Sequence, residues 1–200
     1  MGELERQLRS ACENGNVEEI VNLLRNQQVN PNYQEDSTPF WSACYYGQLE
    51  TVKLLLADER IDINKTDKIG RTPFYVACEQ RKDEVVRLLL NEIRVDVNKT
   101  ENNNHQTPFY VACERGHTEI VKFLLNDNRV DVNRPETQHG QTPSLVACKR
   151  GHHDVVELLL NDKRVSIRKK EKKGKSAIEL ARERHQVKVM KLLQKFDTGK

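Results

Sequence analysis

At 200 residues, 36% of them hydrophobic and 32% charged, the chain is long enough for one or two ordinary domains with a real core. No apolar run reaches 18 residues, and the start, MGELERQLRS, lacks the basic segment and apolar stretch of a secretory signal, so the expectation is a soluble intracellular protein, cytoplasmic or nuclear, with no membrane-spanning helix. The net charge of +3 conceals an acidic body, with 17 Lys+Arg against 23 Asp+Glu over residues 1–140, and a basic end, with 16 against 7 over residues 141–200.

The first expected element is a capping unit over residues 1–33, in which Leu8-Arg9-Ser10-Ala11-Cys12-Glu13-Asn14-Gly15 ends on a glycine but has no Thr-Pro pair. A seven-residue phrase then returns along the chain: TPFWSAC at 38–44, TPFYVAC at 72–78 and 107–113, TPSLVAC at 142–148, and a weaker echo, SAIELAR, at 176–182. The spacings are 34, 35, 35 and 34 residues, which divides the rest into units 34–67, 68–102, 103–137 and 138–171 and a closing unit 172–200.

Within a unit the physics is legible. Proline at the first turn of a helix loses no bond and presets φ, and the preceding threonine can cap that turn. Gly47, Gly116 and Gly151 then end the helix; Arg81 stands in the equivalent place and should carry strain. A second helix follows in LETVKLLL, DEVVRLLL, TEIVKFLL and HDVVELLL, with apolar residues at helical spacing. A β-like tetrad (IDIN, VDVN, VDVN, VSIR) leads into a hairpin whose tip carries Gly70, Gly140 or Gly174. Burying each leucine is worth roughly 1.5–3 kcal/mol, but only once a neighbouring unit covers it.

Hairpin, helix, turn, helix at this period resembles the ankyrin repeat. The T-P-L-H-x-A signature of that family maps onto Thr72-Pro73-Phe74-Tyr75-Val76-Ala77, and its D-V-N onto Asp96-Val97-Asn98. The resemblance covers nearly the whole chain and implies an all-α ankyrin-repeat solenoid, one domain over residues 1–200, with helix-turn-helix units joined by β-hairpin loops and about six repeats including the caps. Two departures stand out. The place of the signature histidine holds Trp41, Tyr75, Tyr110 and Leu145, so larger side chains must pack between helices. The second helix ends without glycine, in Ala57-Asp58-Glu59-Arg60 and its three counterparts, where Asn or Asp is expected to take the left-handed cap.

A search for catalytic chemistry returns structural roles. Cys12, Cys44, Cys78, Cys113 and Cys148 occupy one equivalent position each, about 10 Å apart in a stack and beyond the roughly 7 Å that a disulfide spans. No C-x-x-C or H-E-x-x-H occurs, and His117 and His152-His153 belong to the turns. The glycines serve turns and tips, leaving none for a phosphate-cradling loop, and no G-x-S-x-G is present. The expectation is no catalysis, no cofactor and no metal.

In the family, partners commonly meet the hairpin tips and the exposed end of the first helix. By position, the resemblance assigns the tips to Tyr33; to Lys65, Lys68, Ile69 and Arg71; to Lys99, Asn103 and Gln106; and to Arg134, His139 and Gln141. It assigns the helix ends to Tyr45 and Tyr46, Glu79 and Gln80, Glu114 and Arg115, and Lys149 and Arg150. Tyr45 and Tyr46, read as lying beside Tyr33, are the residue type enriched in binding hot spots. The run KRVSIRKKEKKGK at 163–175 places Lys169, Lys170, Lys172, Lys173 and Lys175 on the last hairpin. Its readings are a solvated cap edge, a patch for an acidic protein segment, a nuclear-import signal, or nucleic-acid contact, which the lack of interleaved aromatics disfavours. Leu56/Asn64, Leu90/Asn98 and Leu125/Asn133 resemble the pattern for asparaginyl hydroxylation. The reading is a monomeric protein-interaction module with a protein partner; the alternatives are a polyanion binder acting through the basic end and the regulatory domain of a larger protein.

Overall fold

In the computed structural model, which describes residues 2–199, the described residues form twelve helices in six pairs and no strand. The pairs are α1 (Glu3–Asn14) with α2 (Val17–Arg25), α3 (Pro39–Tyr46) with α4 (Leu49–Leu56), α5 (Pro73–Glu79) with α6 (Asp83–Leu90), α7 (Pro108–Arg115) with α8 (Thr118–Leu125), α9 (Pro143–Arg150) with α10 (His153–Asn161), and α11 (Ala177–Glu183) with α12 (Val187–Thr198). Threonine opens four of them as its chemistry dictates. The hydroxyls of Thr38, Thr72, Thr107 and Thr142 accept the N–H of Trp41, Tyr75, Tyr110 and Leu145 at 3.1, 3.0, 3.0 and 3.3 Å, pairing a donor that the helix leaves open. At α11, Glu179 instead accepts both the N–H and the hydroxyl of Ser176, at 2.8 and 2.6 Å.

The chain divides into two compact units, Met1–Asn102 and Asn103–Lys200. In the first, α3 packs on both α1 and α5, and α4 on both α2 and α6. Leu8, Ile20, Phe40, Leu55, Phe74 and Leu89 are fully enclosed there. In the second, α9 packs on α7 and α11, and α10 on α8 and α12, around Phe109, Ile120, Leu124, Leu145 and Leu159. The rings and leucine that replace the signature histidine are buried, as their size requires.

The loops turn like hairpins without forming a ladder. The tip from Asp67 to Arg71 closes on two backbone bonds, Asp67 N–H to Arg71 C=O at 3.0 Å and Gly70 N–H to Asp67 C=O at 3.1 Å, and successive tips share one more, such as Asn102 N–H to Ile69 C=O at 2.9 Å and Lys172 N–H to His139 C=O at 2.9 Å. Arms this short expose N–H groups that a strand would pair, and a buried carboxylate takes them instead. Asp67 accepts from Ile69 and Arg71 at 3.1 and 2.9 Å, and Glu136 from Gln138, His139 and Gln141 at 2.6, 2.8 and 2.9 Å. Glu101 and Glu171 are buried at the matching positions.

Asparagine joins one repeat to the next. Asn64 donates to Arg94 C=O at 2.7 Å and accepts Asp96 N–H at 2.9 Å. Asn32 and Asn133 make the same pair of bonds to Arg60 and Asp62, and to Arg164 and Ser166, all at 2.6–2.7 Å. An amide both donates and accepts, so one side chain closes two open backbone groups.

The ends of the second helices depart from expectation. Ala57, Asn91 and Asn126 remain right-handed, at φ −78°, −77° and −81°, and Asp162 is extended; none takes the left-handed cap. Arginine from the following repeat does the capping. Arg60 donates to Leu24 C=O at 3.0 Å, Arg94 to Leu56 C=O at 3.2 Å, and Arg164 to Leu125 C=O. Each guanidinium is aimed by a carboxylate two residues back: Asp58 at 2.6 Å, Glu92 at 2.8 Å and Asp162 at 2.7 Å. The glycine-free loop thus positions a cation against carbonyls at the negative end of a helix.

Positive φ outside glycine occurs at Arg81, as expected, and also at His105 and His185, each at φ 55°. His105 stands in the tip place that Gly70 fills in the preceding repeat. At Gly70 the choice is forced, since φ is +84° and a Cβ would collide with the Asn102 side chain.

Two outcomes follow from this packing. Thr51 takes the place that Val85, Ile120 and Val155 fill in later repeats, and its buried hydroxyl has no hydrogen-bond partner among the described residues. Thr51→Val is expected to stabilise the protein by about 1 kcal/mol, a rise of roughly 2–4 °C in Tm by calorimetry. The Arg94 bond lowers Glu92 from 4.5 to about 2, and the equivalent bonds hold Asp58, Asp127 and Asp162 below their usual 3.8. A depressed carboxylate stabilises the fold above its unfolded value and loses that contribution as pH falls through the folded one. Tm should therefore drop progressively between pH 4.5 and about 2, and Glu92→Gln should shrink the drop in melts followed by circular dichroism.

Candidate functional site

In the N-terminal unit the site grows from one turn of α3. Trp41 donates its indole N–H to Arg71 C=O at 3.1 Å, and the Arg71 guanidinium lies 5.4 Å from the centre of the ring. Asp67 and Glu79 hold that guanidinium at 2.8 and 2.9 Å. Tyr45, four residues on, stacks on Trp41 with centroids 5.1 Å apart and planes at 11°, and Tyr46 meets Tyr45 edge-on at 5.1 Å. Tyr46 is 51% exposed. The result is an aromatic stack that runs from a buried indole, with a cation on its ring, through half-buried Tyr45 to exposed Tyr46.

Other predicted residues of this unit have separate positions. Tyr33 is half-buried against Gly2 at the start of α1, and among the described residues no ring contact joins it to the stack. It is therefore part of the capping end rather than a neighbour of Tyr45. Lys65 donates to Asn32 C=O at 2.9 Å. Lys68 pairs with Asp36, and that bond holds the Asp36 carboxyl below its usual range. Ile69 is 41% exposed at its tip, Lys99 is exposed, and Gln80 is half-buried at the end of α5.

In the C-terminal unit, two groups of predicted residues converge. A groove of about 320 Å³ gathers His139, Gln141 and Lys149 together with Lys172, Lys173 and Lys175, and adds Gln138, Glu171, Leu180, Glu183 and Arg184. Gln141 is buried and accepts Lys149 Nζ at 3.4 Å. Lys172 donates to Thr137 C=O, and Lys175 pairs with Glu183 at 2.6 Å, a bond that raises the Lys175 ammonium above its usual value. Glu171 accepts Lys175 N–H at 3.4 Å. Arg150 and Glu114 pair with each other at 2.6 Å. Arg115, Asn103 and Arg134 are exposed and Gln106 is half-buried.

Lys169 and Lys170 lie outside the groove. Lys169 borders a recess with Val165, Ile167, Arg168 and Phe196. Sequence reasoning missed Glu183 and Arg184, although the signal was present. They follow Ser176 by the same interval at which Lys149 and Arg150 follow Thr142.

All five cysteines are buried and free. Burial pushes the Cys12 and Cys148 thiols up to about 12 and the other three well above 9.0, which keeps them protonated and unreactive. Among the described residues no group of three or more His, Cys, Asp or Glu side chains is placed to hold a metal ion, and no helix is long and apolar enough to cross a membrane. Of the asparagines in the hydroxylation pattern, Asn64 and Asn133 have both amide functions engaged in the bonds described above.

Compared with known families, the chain matches the one described as ankyrin repeats (3 copies), over residues 8–101, 59–136, 94–170 and 134–199. Comparison with curated proteins gives no match.

Proposed function

Since the chain belongs to the ankyrin-repeat family, we propose that its six repeats act as one monomeric intracellular domain that binds a protein partner through helix ends and loop tips and performs no catalysis. Ankyrin repeats are in general protein–protein interaction modules. The observation that carries the reading is the Trp41–Tyr45–Tyr46 stack: Tyr46 is half-exposed on a ring pair already held by Arg71. Packing of the core does not require an exposed tyrosine there. A preset ring loses little conformational freedom when a partner covers it, which is why aromatic anchors dominate binding energy. The regulatory-domain alternative keeps the same face and adds an effector domain elsewhere. The polyanion alternative draws on Lys169, Lys170, Lys172, Lys173 and Lys175, but Glu171 and Glu183 share the groove of the last three and oppose a continuous phosphate backbone.

The test is affinity capture from cell lysate on immobilised wild type and on Tyr45→Ala/Tyr46→Ala, quantified by mass spectrometry, with affinities then measured for the captured protein. Loss of two hot-spot rings is expected to weaken binding by more than about thirty-fold. Retention of the same proteins at equal affinity on both baits would overturn the reading.

A further inference from the structure

We propose that the groove of the C-terminal unit holds an extended acidic segment of a partner protein, with side-chain carboxylates paired to Lys149, Lys173 and Arg184. The proposal rests on the reading of the chain as a protein-interaction module and supplies the chemistry of a partner. Three observations carry it.

The first is shape. Residues of two successive tips and of the ends of α9 and α11 enclose about 320 Å³, at the low end of the range for ligand clefts. That volume receives a few side chains of a segment rather than the face of a folded domain.

The second is charge that the protein leaves unanswered. Five Lys and Arg residues line the groove against two carboxylates. Both carboxylates are engaged, Glu183 with Lys175 at 2.6 Å and buried Glu171 with the backbone N–H of Lys175. Lys172 is directed to Thr137 C=O. Lys149 reaches only the neutral Gln141 amide, at 3.4 Å, and Lys173 and Arg184 have no ion pair among the described residues. Lys149, Lys173 and Arg184 thus line one concavity with no ion pair of their own among the described residues.

The third is selection within the basic run. A solubilising rim would leave all its lysines equivalent. Here Lys172, Lys173 and Lys175 line the groove with Lys149 and Arg184, whereas Lys169 and Lys170 do not. Peptide is favoured over nucleic acid because no Phe, Tyr or Trp lines the groove for base stacking, and because carboxylates separated by neutral residues can avoid Glu171 and Glu183.

The experiment is calorimetric titration of the full chain, at low salt, with a short end-blocked peptide alternating Glu and Ala, beside a Gln–Ala control. The Glu peptide is expected to bind and the control not to bind. Lys173→Glu/Arg184→Glu should weaken binding by more than about tenfold, while Lys169→Glu/Lys170→Glu, with the same change of charge, should leave it within about twofold. Circular dichroism melts check folding, and Lys173→Gln/Arg184→Gln serves if the reversal unfolds. Absence of binding, equal weakening by the two pairs, or tighter binding of an oligothymidylate than of the peptide would each overturn the proposal. Tyr45→Ala/Tyr46→Ala should bind the peptide unchanged, so failure of the aromatic face in the capture experiment is read separately from failure here.

Discussion

No repeat of this chain can complete itself. Its apolar helix face has no cover within the repeat, its second helix ends with open carbonyls, and its loop leaves backbone groups that no strand pairs. The neighbouring repeat answers all three. Leucine and phenylalanine layers interlock, arginine from the next repeat caps the helix, and asparagine closes both a carbonyl and an N–H across the junction. An uncapped, unpaired end inside a packed stack would lose free energy for each orphan group. This mutual completion explains why the same residues recur at a period of 34–35, and why the positions left to vary are those facing outward at tips and helix ends.

Much of this was legible in the sequence because its causes are local. A Thr-Pro pair specifies a capped first turn from adjacent residues alone, and all four pairs form that cap at the expected donor. Glycine positions and helical spacing are equally local. Part of what escaped involves partners far along the chain, and part involves loop geometry that only the fold sets. Arg94 looks like a surface cation until Leu56 C=O is seen within 3.2 Å of it, and the loop of Ala57 to Arg60 gives no hint that an arginine replaces the left-handed residue. The buried carboxylates at the tips read as ordinary charged loop residues, because only the folded tip points N–H groups at Asp67 and Glu136. His105, holding a glycine position at φ 55°, shows that a local rule can be overridden when the surrounding repeats fix the backbone.

The candidate sites show the same divide. Tyr45 and Tyr46 were visible as an oddity in a bland surface, but their tie to Trp41 and Arg71 required the fold. Tyr33, judged near them, belongs instead to the capping end. The basic run was read as one patch, and the structure divides it: three lysines enter a groove with residues from the repeat before and the helix after. Each unit thus presents a distinct chemistry, aromatic in the first and cationic in the second, on a framework whose buried thiols and engaged carboxylates serve structure.

Mutual completion is tested most directly at Asn64, whose amide acts only on the next repeat, through Arg94 C=O and Asp96 N–H. Equilibrium urea unfolding of Asn64→Ala beside the parent chain reads the loss of that junction without altering the core. The account predicts a loss of about 2 kcal/mol, with a lower midpoint, because two backbone groups lose their partner at once. An unchanged midpoint would mean that the repeats stand without completing one another, and would contradict it.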